Sequence, residues 1–177
     1  TIAGERTSCF ALTEPGAGSD AAGITTHARR DGDDWVINGE KTFITFGDEA
    51  DFAIVIAVTN PDAGARHGST AFLVDRDMGF TSQPIATMGS WHTPASLVFD
   101  DVRVPAANVL GEVDDGFRLA MRWVGRGRVI IPSRALGIAE RCLTMAIDYL
   151  DERHAFGRPI GDNQALQWMI ADSETEL

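Results

Sequence analysis

Two rhythms of apolar and polar residues divide the chain. Over residues 9–104, short β-rich runs alternate with turn signals. Cys9-Phe10-Ala11-Leu12-Thr13 ends at Glu14-Pro15-Gly16, and Ile24-Thr25-Thr26-His27-Ala28 leads to the turn Asp31-Gly32-Asp33. Trp35-Val36-Ile37 reaches Asn38-Gly39, and a second run follows over residues 40–45. Asn-Gly between two such runs predicts a hairpin turn. Residues 52–58 are apolar without alternation, which predicts a strand buried on both faces. Runs over residues 69–74 and 96–104 complete a set of six to eight strands. After Pro105 the period changes to 3.6. Leu136, Ala139, Leu143, Ala146, Ile147 and Leu150 share one helical face, predicting a helix from residue 116 to about 153, with Pro132 kinking it or marking a false start. Phe156-Gly157-Arg158-Pro159 breaks the pattern. Asp162 is the expected N-cap of a second helix, with Leu166, Met169, Ile170 and Ser173 on one side. The fold class expected is α+β. An antiparallel β-barrel or sandwich occupies residues 1–112, and amphipathic helices of an incomplete bundle occupy 113–177. Two such helices cannot close a bundle alone, so their stripes need partners or form an exposed patch that favours self-association.

Composition narrows the function. The 177 residues carry 15 Lys+Arg against 26 Asp+Glu, a net charge of −11. That balance argues against binding nucleic acid or anionic lipid. The longest apolar run, residues 52–58, falls far short of the roughly 18 residues a membrane span needs. Two distant cysteines, Cys9 and Cys142, make no disulfide framework and no zinc spacing, which fits a reducing compartment. The sequence opens on Thr1 without a leader, and the helical pattern still runs at Glu176-Leu177, so we expect an internal piece of a longer chain.

Three segments could carry chemistry. In Leu12-Thr13-Glu14-Pro15-Gly16-Ala17-Gly18-Ser19-Asp20, two glycines after a strand let backbone N–H groups approach a ligand. The match of residues 16–21 to a dinucleotide fingerprint fails, because β-branched Ile24-Thr25-Thr26 follows where a helix is needed. The alternative is a tight surface turn. In Lys41-Thr42-Phe43-Ile44-Thr45, an aromatic and a hydroxyl two apart share a face and could cover a flat ring, or be a core Phe beside a strand Thr. Arg153, near a helix end, could reach a phosphate or satisfy the helix dipole. His27, His67, His92 and His154 show no metal-ligand spacing, and His92 beside Trp91 reads as loop. The four tryptophans (Trp35, Trp91, Trp123 and Trp168) read as packing residues.

Taken together, these segments resemble the acyl-CoA dehydrogenase family. Residues 11–20 look like its first signature, and Asn38-Gly39-Glu40-Lys41-Thr42-Phe43-Ile44-Thr45 is similar to its flavin-contacting strand. Val98-Phe99-Asp100-Asp101-Val102-Arg103-Val104-Pro105 resembles the exit from its middle domain. Glu152-Arg153 through Phe156-Gly157 to Gln164-Ala165 resembles its helix-end FAD contact. The resemblance implies FAD-dependent α,β-dehydrogenation of an acyl-CoA thioester, with the middle domain and first helices of the C-terminal bundle present. It implies FAD contacts at Phe10, Leu12, Thr13, Phe43, Ile44 and Thr45 along the flavin and at Gly18 and Ser19 by the pyrophosphate, with Ser19 also bordering CoA. Arg128 would lie near the CoA. Arg153, Phe156 and Gln164 would reach the FAD of a neighbouring subunit, hence a homodimer or homotetramer. The implied electron acceptor is an electron-transfer flavoprotein. The implied location is cytoplasmic, or the mitochondrial matrix in a eukaryote.

Departures from the family pattern sharpen these expectations. Phe43 stands where most members carry Trp, Phe46 replaces Asn, and Gly125 replaces an acidic CoA contact. Gly127 stands where some members place the catalytic glutamate, so the base is expected beyond Leu177 and residues 1–177 alone should be inactive. The alternatives are a same-fold nitroalkane oxidase or flavin monooxygenase, or a non-catalytic binding and assembly member.

Overall fold

Apolar runs in the first hundred residues become the strands of one curled, mixed sheet. In the computed structural model, which describes residues 1–88 and 93–177, these are β1 (Ser8–Ala11), β2 (His27–Asp31), β3 (Asp34–Ile44), β4 (Phe52–Val58), β5 (Ser69–Asp75), β6 (Thr81–Pro84) and β7 (Ala95–Pro105). Trp91 and His92 lie outside the described residues. The strand order is β1-β4-β2-β3-β7-β6, with β5 also paired to β4. A wholly antiparallel sheet was expected, but β1 and β2 run parallel to β4. The inner face packs Ile37, Val55, Phe72, Val74, Leu97 and Val104 into one core. The chain forms two compact units, Thr1–Trp123 and Val124–Leu177.

Three strand boundaries depart from the sequence reading, each for a physical reason. No hairpin forms at Asn38-Gly39: β3 runs straight through it and keeps pairing with β7, with a register shift between Ile37 and Gly39. Gly39 sits at φ +141°, and a Cβ there would lie 2.5 Å from Thr26 Oγ1 and 2.7 Å from Thr26 Cα. The glycine thus serves a bulge against a crossing chain rather than a turn. The hairpin lies earlier, where Asp31 pairs with Asp34 around Gly32 at φ +65°. β2 starts at His27 rather than Ile24, because the backbone N–H groups of Thr25 and Thr26 are taken by the Glu14 carboxylate. β6 escaped the sequence reading, since Thr81-Ser82-Gln83-Pro84 has no apolar alternation.

A polar cluster fixes where the long helix begins. Thr59 Oγ1 donates to Asp114 Oδ1 (2.6 Å) and stands 2.8 Å from Thr70 Oγ1, which accepts the Asp114 N–H at 2.9 Å. Gly116 follows against β5, where a Cβ would lie 2.5 Å from the Thr70 carbonyl carbon. The helix α2 (Gly116–Glu152) starts there, after the short α1 (Gly64–His67).

In the second unit α2 passes through Pro132 without ending. Proline has no N–H to give, so the Arg128 carbonyl loses its helical donor. A two-residue hairpin, β8 (His154–Ala155) and β9 (Arg158–Pro159), leads to α3 (Gln164–Glu176). The residue before α3 is Asn163, not Asp162; Asp162 ends the preceding 3-10 turn. Leu143, Ala146 and Leu150 of α2 and Leu166, Met169 and Ile170 of α3 line an apolar groove of about 540 Å³. Val129, Ile130 and Ile131 stay exposed, so the unit carries apolar surface that its own residues do not cover.

Candidate functional site

The segment after β1 folds back on itself. Glu14 and Ala17 exchange both backbone hydrogen bonds (3.0 and 3.1 Å) around Pro15-Gly16. Gly18 and Ser19 follow in an exposed position, and a Cβ on Gly16 or Gly18 would meet nothing within 4 Å. Residues 21–23 then form one 3-10 turn, not the helix a dinucleotide fingerprint requires. The backbone here is therefore open to a ligand from outside.

The end of β3 lies against this turn. Thr42 N–H donates to the Thr13 carbonyl at 2.9 Å. Beyond it, Phe43 near the end of β3 and Thr45 just past the strand are both exposed, while Ile44 between them is buried in the core. A second register shift, between Lys41 and Ile44, accompanies this turnout. Phe43 adopts φ +54°, a left-handed conformation that costs a bulky L-residue of order 1–2 kcal/mol. Phe10 is half-buried on β1 and meets Trp123 with ring centroids 6.4 Å apart. Trp35 packs in the core 5.6 Å from Phe72, as expected of a packing residue, whereas Trp123 and Trp168 are exposed.

Beneath both segments lies a buried ion pair absent from the sequence reading. Lys41 is fully buried, and its Nζ donates to Glu14 Oε1 (2.8 Å) and to the Leu12 carbonyl (3.0 Å). Glu14 Oε2 accepts from Thr25 N (2.7 Å) and Thr25 Oγ1 (2.9 Å), and Oε1 accepts from Thr26 N (3.0 Å). Burial alone would raise the Glu14 carboxyl, but the Lys41 charge and these hydrogen bonds outweigh it and hold it down at about 2. Burial pushes the Lys41 ammonium down to about 8 despite its partner. Since Glu14 is depressed from an ordinary 4.5, its stabilisation is complete above that value and is lost as pH falls toward about 2. Melting temperatures recorded across that interval should fall with acidification, and the fall should be shallower in Glu14→Gln, with the remainder due to Asp51 and Asp115, whose carboxyls are also held down. A slope unchanged by the substitution would show that Glu14 is not the titrating group.

The remaining candidates lie in the second unit. Arg128 is exposed on α2. Arg153 and Phe156 are exposed on the connection from α2 to α3, and Gln164 is exposed at the first residue of α3. Phe156 and Gly157 form the tip of the β8–β9 hairpin at φ +55° and +82°, the conformation a two-residue turn demands. Phe156 is 105% exposed, a second aromatic held strained and bare. Among the described residues, no group of three metal-ligating side chains occurs. No described helix is long and apolar enough to cross a membrane.

The chain is similar to known proteins over nearly its whole length. The family model "Acyl-CoA dehydrogenase, middle domain" matches residues 9–102, and "Acyl-CoA dehydrogenase, C-terminal domain" matches residues 114–177. An acyl-CoA dehydrogenase of Bacillus subtilis is 44% identical over 97% of the chain, which covers 46% of that relative. The butyryl-CoA dehydrogenase structure from Megasphaera elsdenii superposes with a TM-score of 0.93 at 40% identity, over 98% of the chain and 46% of its own. A glutaryl-CoA dehydrogenase from Mycobacterium smegmatis, solved with FADH2, gives 0.87 at 38% identity, over 96% of the chain and 43% of its own. The chain thus spans about half the length of the relatives it matches. On the family models and on the shared fold, the chain belongs to the acyl-CoA dehydrogenase family.

Proposed function

We propose that this chain supplies the flavin cradle and part of the CoA path of an FAD-dependent acyl-CoA dehydrogenase. The observation that carries the reading is the exposed pair Phe43 and Thr45 at the end of a strand hydrogen-bonded to the 12–19 turn. These residues fit a flavin: an aromatic wall, a hydroxyl, and open backbone at Gly18 and Ser19. When bound, FAD accepts the β-hydrogen of the thioester as hydride. Thr45 would hydrogen-bond the flavin edge near N5, and Thr13 its pyrimidine side. Leu12 and Ile44, both buried, can offer only backbone groups. Phe10 and Phe43 would exclude water from the ring. Gly18 and Ser19 would receive the pyrophosphate, with Ser19 also bordering CoA, and Arg128 would lie near the CoA.

The functional division falls at residues 112 and 113, cradle before and bundle after. The α-proton needs a carboxylate base, which we assign to the part of the protein beyond residue 177, so residues 1–177 alone are inactive. Arg153, Phe156 and Gln164 would contact the FAD of a second subunit in a homodimer or homotetramer. The strained, bare Phe156 supports that assignment. Electrons would pass to an electron-transfer flavoprotein, in the cytoplasm or, in a eukaryote, the mitochondrial matrix.

The test is anaerobic bleaching of FAD in the whole protein by a panel of acyl-CoA thioesters. Thr45→Val should slow the half-reaction roughly tenfold, the worth of one hydrogen bond to a group gaining charge. A protein that purifies with FAD but is bleached by no thioester would overturn the dehydrogenase reading.

A further inference from the structure

Lys41 heads the fully buried side chains of the chain by size, and it is charged. Removing an ammonium and a carboxylate from water carries a large hydration cost, and well-packed apolar residues in their place are often no less stable. Stability alone therefore does not account for the pair; what it reaches does. Lys41 lies on β3 two residues before Phe43, yet its two acceptors are the Leu12 carbonyl and the Glu14 carboxylate. Glu14 in turn gathers the Thr25 and Thr26 amides, so both ends of the segment that carries Thr13, Gly18 and Ser19 are tied to one buried centre. Thr26 Oγ1 closes the circuit by donating to the Glu40 carbonyl at 3.3 Å. The ion pair thus joins the two stretches of chain assigned above to the flavin, and is itself buried.

We propose that Glu14 and Lys41 are positioning residues for FAD: their buried ion pair sets the spacing between the 12–19 turn and the end of β3 before the cofactor arrives. The inference rests on the flavin reading above. Preorganisation of this kind acts on affinity by removing the cost of ordering the two segments during binding.

The test compares the whole protein with Glu14→Gln, Lys41→Met and the double variant Glu14→Gln/Lys41→Met. Three quantities are read: the FAD dissociation constant, the position of the flavin's visible band, and the melting temperature without FAD. Glu14→Gln keeps the shape of the side chain and should weaken FAD at least tenfold. Lys41→Met strands the Glu14 carboxylate and should lower melting most. The double variant should recover most of that melting temperature while FAD binding stays at least tenfold weak and the flavin band stays shifted. A double variant that binds FAD within twofold of the unaltered protein overturns the proposal. So does one whose affinity and melting fall in step, since that is a structural defect alone. Should Lys41→Met fail to fold, the isosteric Glu14→Gln decides by the same tenfold criterion. Absence of FAD binding in the unaltered protein overturns the flavin reading itself, and is distinguished because it precedes any substitution.

Discussion

Replacing Phe72 by alanine is expected to remove about 3–5 kcal/mol of stability, the usual cost of truncating a fully buried aromatic. Phe72 lies on β5 with no exposed surface and meets Trp35 edge-on at 5.6 Å. Its backbone also bridges to Val109, which brings the chain after β7 back over the core. Phe72 therefore ties β3 through its ring and the approach to α2 through its backbone. Domains of this size hold only about 5–15 kcal/mol in total, so the loss takes a large share. Urea unfolding followed by tryptophan emission measures it as a lower midpoint at unchanged slope. A loss below about 1 kcal/mol would mean that the sheet is not packed around this ring.

Gly39→Ala is expected to cost about 3 kcal/mol or more, although it adds a single methyl group. The added carbon would lie 2.5–2.8 Å from three atoms of Thr26, at a φ of +141° that side chains rarely adopt. Relief requires β2 to move away from β3, and Thr26 is one of the donors that hold Glu14. The substitution should therefore also expose Lys41 to solvent, seen as faster modification of its amine. An alanine tolerated to within about 1 kcal/mol would indicate an open turn at Asn38-Gly39 instead of a bulge.

That contrast shows where local sequence stops deciding. Asn-Gly favours positive φ in a turn and in a bulge alike, and only the crossing of Thr26, thirteen positions earlier, selects the bulge. β4 and β5 were legible because continuous apolar runs report burial directly. The helix stripes were legible from their 3.6-residue period, and Leu143, Ala146 and Leu150 line one groove with Leu166 and Ile170, although the stripe is not buried within this unit. β6 was not legible, since an edge strand of Thr, Ser, Gln and Pro owes its conformation to pairing with β7. The exposure of Phe43 and Thr45 on either side of a buried Ile44 matches a two-residue alternation, although Thr45 lies past the strand, and the open turn at residues 16–19 followed from its glycines. The Glu14–Lys41 pair did not follow, because a lysine in a strand reads as a solvent-facing residue. Nothing within either segment reports that the two charges meet in a dry interior.

The two cysteines differ in a way that sets the covalent chemistry of the chain. Cys9 is buried on β1, and burial pushes its thiol up to about 11, so at neutral pH it stays protonated and shielded. Cys142 is exposed on α2, where it borders the apolar groove. Toward thiol-specific reagents the folded chain therefore has a valence of one. It accepts one thiol adduct, and disulfide cross-linking stops at pairs of chains.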